Sequence, residues 1–506
     1  MYKEKILSLE KLSAMRKCWK EDGKKVVLCH GCFDLFHPGH LKHLEAAKRM
    51  GDILVVTITA DKYVNKGPFR PVFNERLRAE TIASLYIVDY VGISRFPTAV
   101  EVIKLIKPDF YVKGIEYRDA EKDVTQNIRK EEEAVRSAGG KLMFTDEITF
   151  SSTYLLNKFF PIVPEESCGF LTEFKKQYSC EKVISLLDSL KELNVLVVGD
   201  TIIDEYTYCK AMGAAIKAPT ISARRIRTEK YHGGALAVAR HLSSFVKNVE
   251  VVTCIGGEDE MFRFVMELES AGLHVHATVN PNSPTTVKQR FLEEFNNQKI
   301  FEVSVLDDRS IPLDVERQIM NDIKTYFRDK DLLIISDFGH GMITERIVRQ
   351  INSLRIFKSA TAQTNSANYG FNLITKYNGC EYVSIDEREL RLATCNKEEK
   401  IEHLVPLLAK RCNFKMVSIT MGKDGCILYN HDTFWRIPGF STAVVDTVGA
   451  GDAFLAITSA MACKGLSPEV IGFVGNCVGN LAVKIIGNKE SVRYSDTVKF
   501  IRGLLG

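Results

Sequence analysis

Residues 29–40 read CHGCFDLFHPGH, and what flanks them decides the fold of the first third of the chain. KKVVL (24–28) before them is a short β-rich apolar run, the pattern of a buried strand. LKHLEAAKRM (41–50) after them places Leu41, Leu44, Ala47 and Met50 at helical spacing. The spacing therefore predicts strand, tight turn, helix. Pro38 falls where a first helical turn tolerates proline, since its missing N–H would be unpaired there anyway. His37 and His40 then sit at the helix start, beside free backbone N–H groups and the positive end of the helix dipole, an arrangement suited to phosphate. Two imidazoles three residues apart can bond phosphate oxygens and stabilise charge growing on them. An HxxH pair can also be half a metal site, but no third ligand cluster lies near it in sequence.

Strand and helix patterns alternate onward from this turn. DILVVTITA (52–60), VDYVGIS (88–94), DFYVKG (109–114) and KLMFTD (141–146) read as strands. Between them NERLRAETIASL (74–85), AVEVIKLIK (99–107) and EEEAVRSAG (131–139) read as helices. Such alternation implies a parallel sheet with right-handed crossovers, whose ligands gather at the carboxyl ends of the strands. Lys66 and Arg70 in the second loop, Arg78 at the start of its helix's charged face, Lys113 and Gly114 at a strand end, and Ser151, Ser152 and Thr153 before a helix all fall on that rim. Each alone reads as a solvated loop residue; together they suit a triphosphate.

At 506 residues, two or three domains are expected. The composition, 45% hydrophobic and 26% charged, is that of a globular protein. A net charge of +4 gives no reason to invoke nucleic acid or an anionic membrane as partner. Neither a leader sequence nor a membrane span is expected. Thirteen scattered cysteines read as free thiols in a reducing cytoplasm.

PIVPEESCGFLTEFKKQYS (161–179) breaks the alternation and is expected as a linker between domains at 1–160 and 180–506. NVLVVGD (194–200) opens a second sheet, continued at 249–257, 331–339, 380–386, 415–422 and 425–430, while residues 206–231 are polar and β-leaning, as a small lid would be. In VVDTVGAGDAFLAITSAMACKG (444–465), Gly449, Ala450 and Gly451 lead into an apolar helix, so bare backbone N–H groups converge on its start. Asp452 stands in that nest. A carboxylate there can take the proton of a hydroxyl attacking the γ-phosphorus of ATP; the alternative is an Asp that only favours the helix dipole.

HGCFDLFHPGH, KGPFRPV, RAE (78–80), VKGIEY and FSST, in that order, resemble the nucleotidyltransferases that carry HxGH, most of all the adenylyltransferase domain of ADP-heptose synthesis. The resemblance implies that His37, His40, Lys66, Ser152 and Thr153 hold the nucleoside triphosphate, with Gly31, Phe33, Arg78, Lys113, Gly114 and Ser151 as further contacts. Glycerol-phosphate cytidylyltransferases share the turn, but usually with Trp before the glycine and RTxGISTT later. Pro38 and EITFSST tilt the base toward adenine while leaving CTP open. DTVGAGD resembles the ribokinase-like (PfkB) sugar kinases, as do GDTIID (199–204), HGGALAVA (232–239), SDFGHG, ITMGKDG and NCVGNLAV. That resemblance implies Asp452 as base, Gly449–Gly451 as anion hole, Gly422 and Gly425 near the nucleotide, and Asp200, Asp204, Gly233 and Gly234 at the substrate. Three departures from the heptose kinases stand out: Ala237 replaces Asn, Gln363 and Thr364 replace Asp-Pro, and Asp386 with Glu389 replaces Asn-x-x-Glu. Glu389 keeps a carboxylate for magnesium through water. The expected fold is α/β throughout, a Rossmann-like HxGH nucleotidyltransferase domain followed by a ribokinase-like domain with a β lid. The whole resembles the bifunctional enzymes of ADP-heptose synthesis with the domains in reversed order. Magnesium, ATP, a sugar phosphate and a homodimer through the kinase domain follow from the resemblance. Open alternatives are a CDP-activated sugar or polyol, and a kinase-like half serving only for dimerisation.

Overall fold

The computed structural model describes residues 2–64, 71–114, 127–145, 164–217, 219–257, 260–270, 272–295, 297–440 and 444–505. Packing divides the chain into two units, Met1–Ile162 with Val498–Gly506, and Val163–Thr497.

The first unit is built on β1 (Val26–Gly31), β2 (Ile53–Thr59), β3 (Tyr90–Ser94), β4 (Phe110–Gly114) and β5 (Lys141–Thr145). These strands lie in the order β3-β2-β1-β4-β5, every pairing parallel. Alternation along β1 sends Leu28 to one face, with Leu12, Trp19, Val55 and Tyr111, and Val27 and Cys29 to the other, with Leu44, Val56 and Ala79. Both faces are covered, which is why the strands read as continuous apolar runs. The strand order reverses between β1 and β4, leaving a crevice outside their carboxyl ends.

The second unit holds β6 (Asn194–Gly199), β7 (Thr201–Ala214), β8 (Ile221–Gly234), β9 (Asn248–Ile255), β10 (His274–Val279), β11 (Val287–Glu293) and β12 (Lys299–Val305). It continues with β13 (Leu332–Asp337), β14 (Phe357–Ala362), β15 (Tyr382–Asp386), β16 (Met416–Thr420), β17 (Cys426–Asn430) and β18 (Thr433–Ile437). The main sheet runs β10-β9-β6-β13-β14-β15-β16-β17-β18, parallel as far as β16 and antiparallel beyond it. A separate sheet, β12-β11-β7-β8, forms the lid. The lid is larger than the segment 206–231 expected, because β11 and β12 join it through β7. All thirteen cysteines are unbridged. Among the described residues no helix is long and apolar enough to cross a membrane.

The stretch 161–179, expected as a linker, contains a helix, Glu165–Gln177, that belongs to the second unit. Phe170, Leu171 and Phe174 recur at helical spacing, and Phe174 is fully buried, its ring stacked on Phe473 with centroids 4.4 Å apart. Ser167 Oγ donates to the Gly439 carbonyl at 2.8 Å. Burial of one such phenyl ring is worth about 1.5–3 kcal/mol, enough to hold the segment on the unit despite its two prolines and its charges.

Candidate active sites

In the first unit β1 ends at Gly31, and the chain turns sharply through Phe33 (φ 49°) and Leu35 (φ 47°) before the helix Pro38–Lys48. Left-handed backbone at bulky residues costs about 1–2 kcal/mol each, so the turn must be held from outside. Asp34, buried beneath it, accepts hydrogen bonds from the N–H groups of Val72 at 2.9 Å and Phe73 at 3.2 Å. Arg78 completes the clamp: Nε donates to the Phe73 carbonyl (2.8 Å), Nη2 to the Thr59 carbonyl (2.8 Å) and Asp61 (2.6 Å), and Nη1 to the Cys32 carbonyl. This corrects the expectation that Arg78 opens a charged face. Its side chain is 1% exposed, and its guanidinium ties the turn after β1 to the loop after β2.

His37 is the N-cap of the helix, its Nδ1 accepting from the Gly39 N–H at 3.1 Å. That bond leaves the proton of the neutral ring on Nε2, a donor for an anion. His40 stacks on His37 with centroids 3.9 Å apart, and on its other sides meets Phe36 (5.6 Å) and Phe33 (5.4 Å). The paired rings thus stand at a helix start, at the carboxyl end of β1, where the strand order reverses. Gly31 leaves room for Phe33: a Cβ there would lie 3.2 Å from its ring. His30 and His43 bond Thr57 (2.9 Å) and Thr145 (2.7 Å). Burial, helped by the charge of Lys113, pushes them down to about 3 and about 4, so they stay neutral structural ties. At the end of β4, Lys113 beside Gly114 forms an ion pair with Glu131 at 3.1 Å, both side chains largely buried. Its ammonium faces the helix Asn127–Ser137 in this state. Lys66, Arg70, Ser151, Ser152 and Thr153 lie outside the described residues.

In the second unit a cavity of about 1230 Å³ is walled by Asp204, Lys288, Gln363, Glu389, Gly422, Gly425, Gly449–Asp452 and Asn488. Gly449 (φ 83°) caps the helix Ala450–Cys463, whose first-turn N–H groups lack helical partners. A Cβ on Gly449 would sit 2.1 Å from Asn488 Oδ1. Asn488 in turn donates to Asp204 Oδ2 at 3.0 Å, while Arg290 from the lid pairs with Asp204 Oδ1 and, at 2.8 Å, with Glu302. Gly233 is required at its place because a Cβ would come 2.5 Å from the same carboxylate, and Gly234 (φ 58°) passes the Asp200 carbonyl. Gly449→Ala is expected to displace Asn488, to lower phosphoryl transfer about 10²-fold and to cost about 1–3 kcal/mol of stability. Kinetics and thermal unfolding of the variant check both.

Asp452 is buried at the helix start and accepts from Gln363 Nε2 at 3.3 Å. Burial and the charge of Asp204 push its carboxyl up to about 7, while Lys288 and Gln363 act the other way. A carboxylate poised there can serve as a general base at neutral pH. Asp446 carries the glycine loop: it accepts from Lys299 of β12 (2.6 Å), Tyr206 of β7 (2.7 Å), Gly487 N–H (2.9 Å) and Val448 N–H (3.1 Å), joining lid to anion nest. Asp200, expected at the substrate, is set apart. It accepts from the Phe338 N–H at 2.8 Å and lines a separate small cavity with Thr285 and His340, because its side chain folds under the end of β13. Ala237 is buried within its helix and does not line the large cavity.

Glu389 lines the cavity but is also half of a capping box, its Oε2 accepting from the Asp386 N–H at 2.9 Å. Burial and the Asp386 charge push it up to about 8. Among the described residues no three His, Cys, Asp or Glu side chains could hold a metal. Glu389 would face magnesium carried in on a nucleotide through water, as suits an ion that dehydrates reluctantly. Sequence reasoning passed over Lys288 and Arg290, although two cations at i and i+2 in VKQRF (287–291) mark one face of a strand.

A family model described as pfkB family carbohydrate kinase matches residues 192–493. The chain belongs to the pfkB family. This pfkB-family portion shares its fold with phosphofructokinase-2 of Escherichia coli, crystallised with substrates and products. The TM-score is 0.51 at 15% identity, over 62% of this chain and 99% of that one. A second model, cytidylyltransferase-like, matches residues 28–229, and its last stretch overlaps the pfkB-family match. Two proteins named bifunctional protein HldE are similar over shorter spans. That of Gluconobacter oxydans is 40% identical over 150 residues, 29% of this chain and 30% of that protein. One from Campylobacter jejuni is 43% identical over 120 residues, 23% of this chain and 25% of that protein. The chain thus spans less than a third of the length of these relatives in the matches.

Proposed function

We propose that the chain is a bifunctional transferase. The second unit phosphorylates a sugar or sugar phosphate with ATP, of the heptose 7-phosphate type at its anomeric hydroxyl. The first unit transfers a nucleotidyl group from ATP to a sugar 1-phosphate, giving an ADP-heptose type product and pyrophosphate. The observation that carries the first activity is Asp452, lifted to about 7 by burial and standing in the glycine nest of a cavity it shares with Asp204. For the second activity it is the stacked pair His37 and His40 at a helix start.

In the kinase cavity the substrate hydroxyl is oriented by Asp204, itself fixed by Arg290 and Asn488. Asp452 takes the hydroxyl proton as the oxygen attacks the γ-phosphorus, and ADP leaves against the backbone N–H groups of Gly449–Gly451. In the first unit the sugar-phosphate oxygen is already anionic and needs no base. It attacks the α-phosphorus while His37, His40 and the helix start bond the oxygens that gain charge, and the P–O bond to pyrophosphate breaks. Magnesium, when bound with the triphosphates, neutralises their charge.

Incubation with each nucleoside triphosphate and a panel of sugar 1-phosphates, with pyrophosphate as readout, tests the transferase. ATP should be the preferred donor, and a clear preference for CTP would make the product a CDP-activated sugar or polyol. The name of the relatives, bifunctional protein HldE, supports two activities on one chain.

Along β12 the lid exposes Phe301, Val303 and Val305 on one face, beside Phe291, whose ring stacks on Phe301 at 4.3 Å. A long apolar edge strand of this kind is a pairing surface, and the expected state is a dimer joined through the lid. Val303→Glu should yield a monomer by light scattering, and a monomeric wild-type protein would contradict the assignment. The proposed place of work is the cytoplasm.

A further inference from the structure

Gln363, one of the departures from the heptose kinases, directly follows β14 and lines the kinase cavity beside Asp452. Its backbone is held on both sides: the N–H donates to the Asp337 carbonyl at 2.8 Å, and the carbonyl accepts from Asn372 Nδ2 at 3.0 Å. The loop beyond it is tied down by asparagines. Asn365 and Asn368 both donate to the Phe338 carbonyl, at 2.9 and 2.8 Å, and Asn372 donates to Asp337 Oδ1 at 3.1 Å. A side chain that starts from so fixed a backbone is itself fixed. Its amide nitrogen reaches Asp452 Oδ1 at 3.3 Å. An ionised carboxylate only accepts, so the nitrogen of the amide, not its oxygen, must face it. This is the one hydrogen bond of the Asp452 side chain among the described residues, and Oδ2 has none. The charged groups that act on Asp452, Asp204 of β7 and Lys288 of β11, do so only through space. Burial and Asp204 oppose ionisation of the base, and the bond from Gln363 works against both.

We propose that Gln363 is a positioning residue for the base: its amide N–H holds Asp452 Oδ1, fixes the plane of the carboxylate in its ionised form, and leaves Oδ2 for the proton of the attacking hydroxyl. The proposal rests on the kinase reading given above. Gln363 acts through Asp452 and takes no proton itself. A hydrogen bond to an ionised partner is worth a factor of about 10–10².

The test is the pH dependence of phosphoryl transfer by wild type, Gln363→Met, Gln363→Leu and Gln363→Glu, with ATP and the best acceptor from a panel of sugars and sugar phosphates. Gln363→Met and Gln363→Leu keep the bulk of the side chain and lose the donor. In both the midpoint of the kcat profile should rise by about one pH unit. Below the midpoint kcat then falls about tenfold and recovers toward alkaline pH, while KM for the acceptor changes less than about twofold. Gln363→Glu keeps the shape but sets a second carboxylate against the first, and its midpoint should rise further. A midpoint unmoved in the two apolar variants overturns the proposal even if Gln363→Glu moves it, because a new charge acts through space in either case. A loss of kcat that is equal at every pH also overturns it, since that is the pattern of a merely structural defect. Thermal unfolding shows which variants are folded. Carbon-13 NMR of the Asp452 carboxyl, assigned by its absence from Asp452→Asn, reads the ionisation without turnover. Its titration midpoint should rise in the apolar variants by the same amount, and a midpoint equal to that of wild type overturns the proposal. If the wild type phosphorylates no acceptor, the kinase reading itself fails, and the NMR titration alone decides whether Gln363 holds the carboxylate.

Discussion

Asp452→Asn is expected to lower phosphoryl transfer by about 10²–10⁴-fold while pyrophosphate release by the first unit stays at the wild-type rate. The amide keeps the shape of the side chain and its contact with Gln363, but it cannot accept a proton. The same residue sets the pH profile. With the carboxyl pushed up to about 7, the base is ionised above that value and protonated below it. The wild-type rate should therefore climb through pH 7 and fall about tenfold per unit below it. Stability runs the other way. An acid whose folded pKa lies above its unfolded value holds its proton more tightly when folded, so its ionisation costs stability as pH rises from about 4 toward 7 and beyond. Asp452→Asn removes that cost, and the variant should unfold at a temperature equal to or above that of wild type at pH 8. A variant that is inactive and equally or more stable separates catalysis from folding. Full activity in it would overturn Asp452 as the base, and a wild type that phosphorylates no acceptor would leave the kinase-like unit as a dimerisation module.

His40→Ala is expected to lower nucleotidyl transfer by about 10²–10³-fold, the usual loss when one donor to a developing oxyanion is removed, with phosphoryl transfer unaffected. His40 is held between His37, Phe36 and Phe33, so its loss empties one position on a backbone that the Asp34 and Arg78 ties still hold. His37→Ala should be equally damaging to the chemistry and also costs about 1 kcal/mol through the lost N-cap. Its melting temperature should fall while that of His40→Ala changes less. Parallel assays of pyrophosphate and ADP on the two variants check the outcome, and equal loss of both activities would point to unfolding.

Where the hydrophobic pattern was strong, sequence reading located the elements: the five strands of the first sheet, and β6, β9, β13, β15, β16 and β17 of the second, all appear where apolar runs stand. β11 and β12 were passed over because their polar and apolar residues alternate at a lid surface, and β14 because FKSATA lacks bulky side chains. The helix Glu165–Gln177 was hidden by flanking prolines and charge, although Phe170 and Phe174 carried its period. Glycine nests and histidines at turns were legible because their chemistry is local. Arg78 and Lys113 were placed at a rim by sequence position and Asp200 at the substrate by resemblance, and the structure instead ties Arg78 to Asp61, Lys113 to Glu131 and Asp200 to the Phe338 N–H. Asn488 and Asp446 hold the kinase cavity together across more than two hundred residues of chain, a distance no local pattern spans.

The central claim is that two separable transfer chemistries reside on one chain. Its most direct test is a single ³¹P NMR series on wild type, Asp452→Asn and His40→Ala, each given ATP, magnesium, a heptose 7-phosphate and, separately, a heptose 1-phosphate. Wild type should form ADP with the first acceptor and pyrophosphate with the second. Asp452→Asn should lose only ADP formation, and His40→Ala only pyrophosphate formation. Loss of both products in either folded variant, or of neither, would contradict the account.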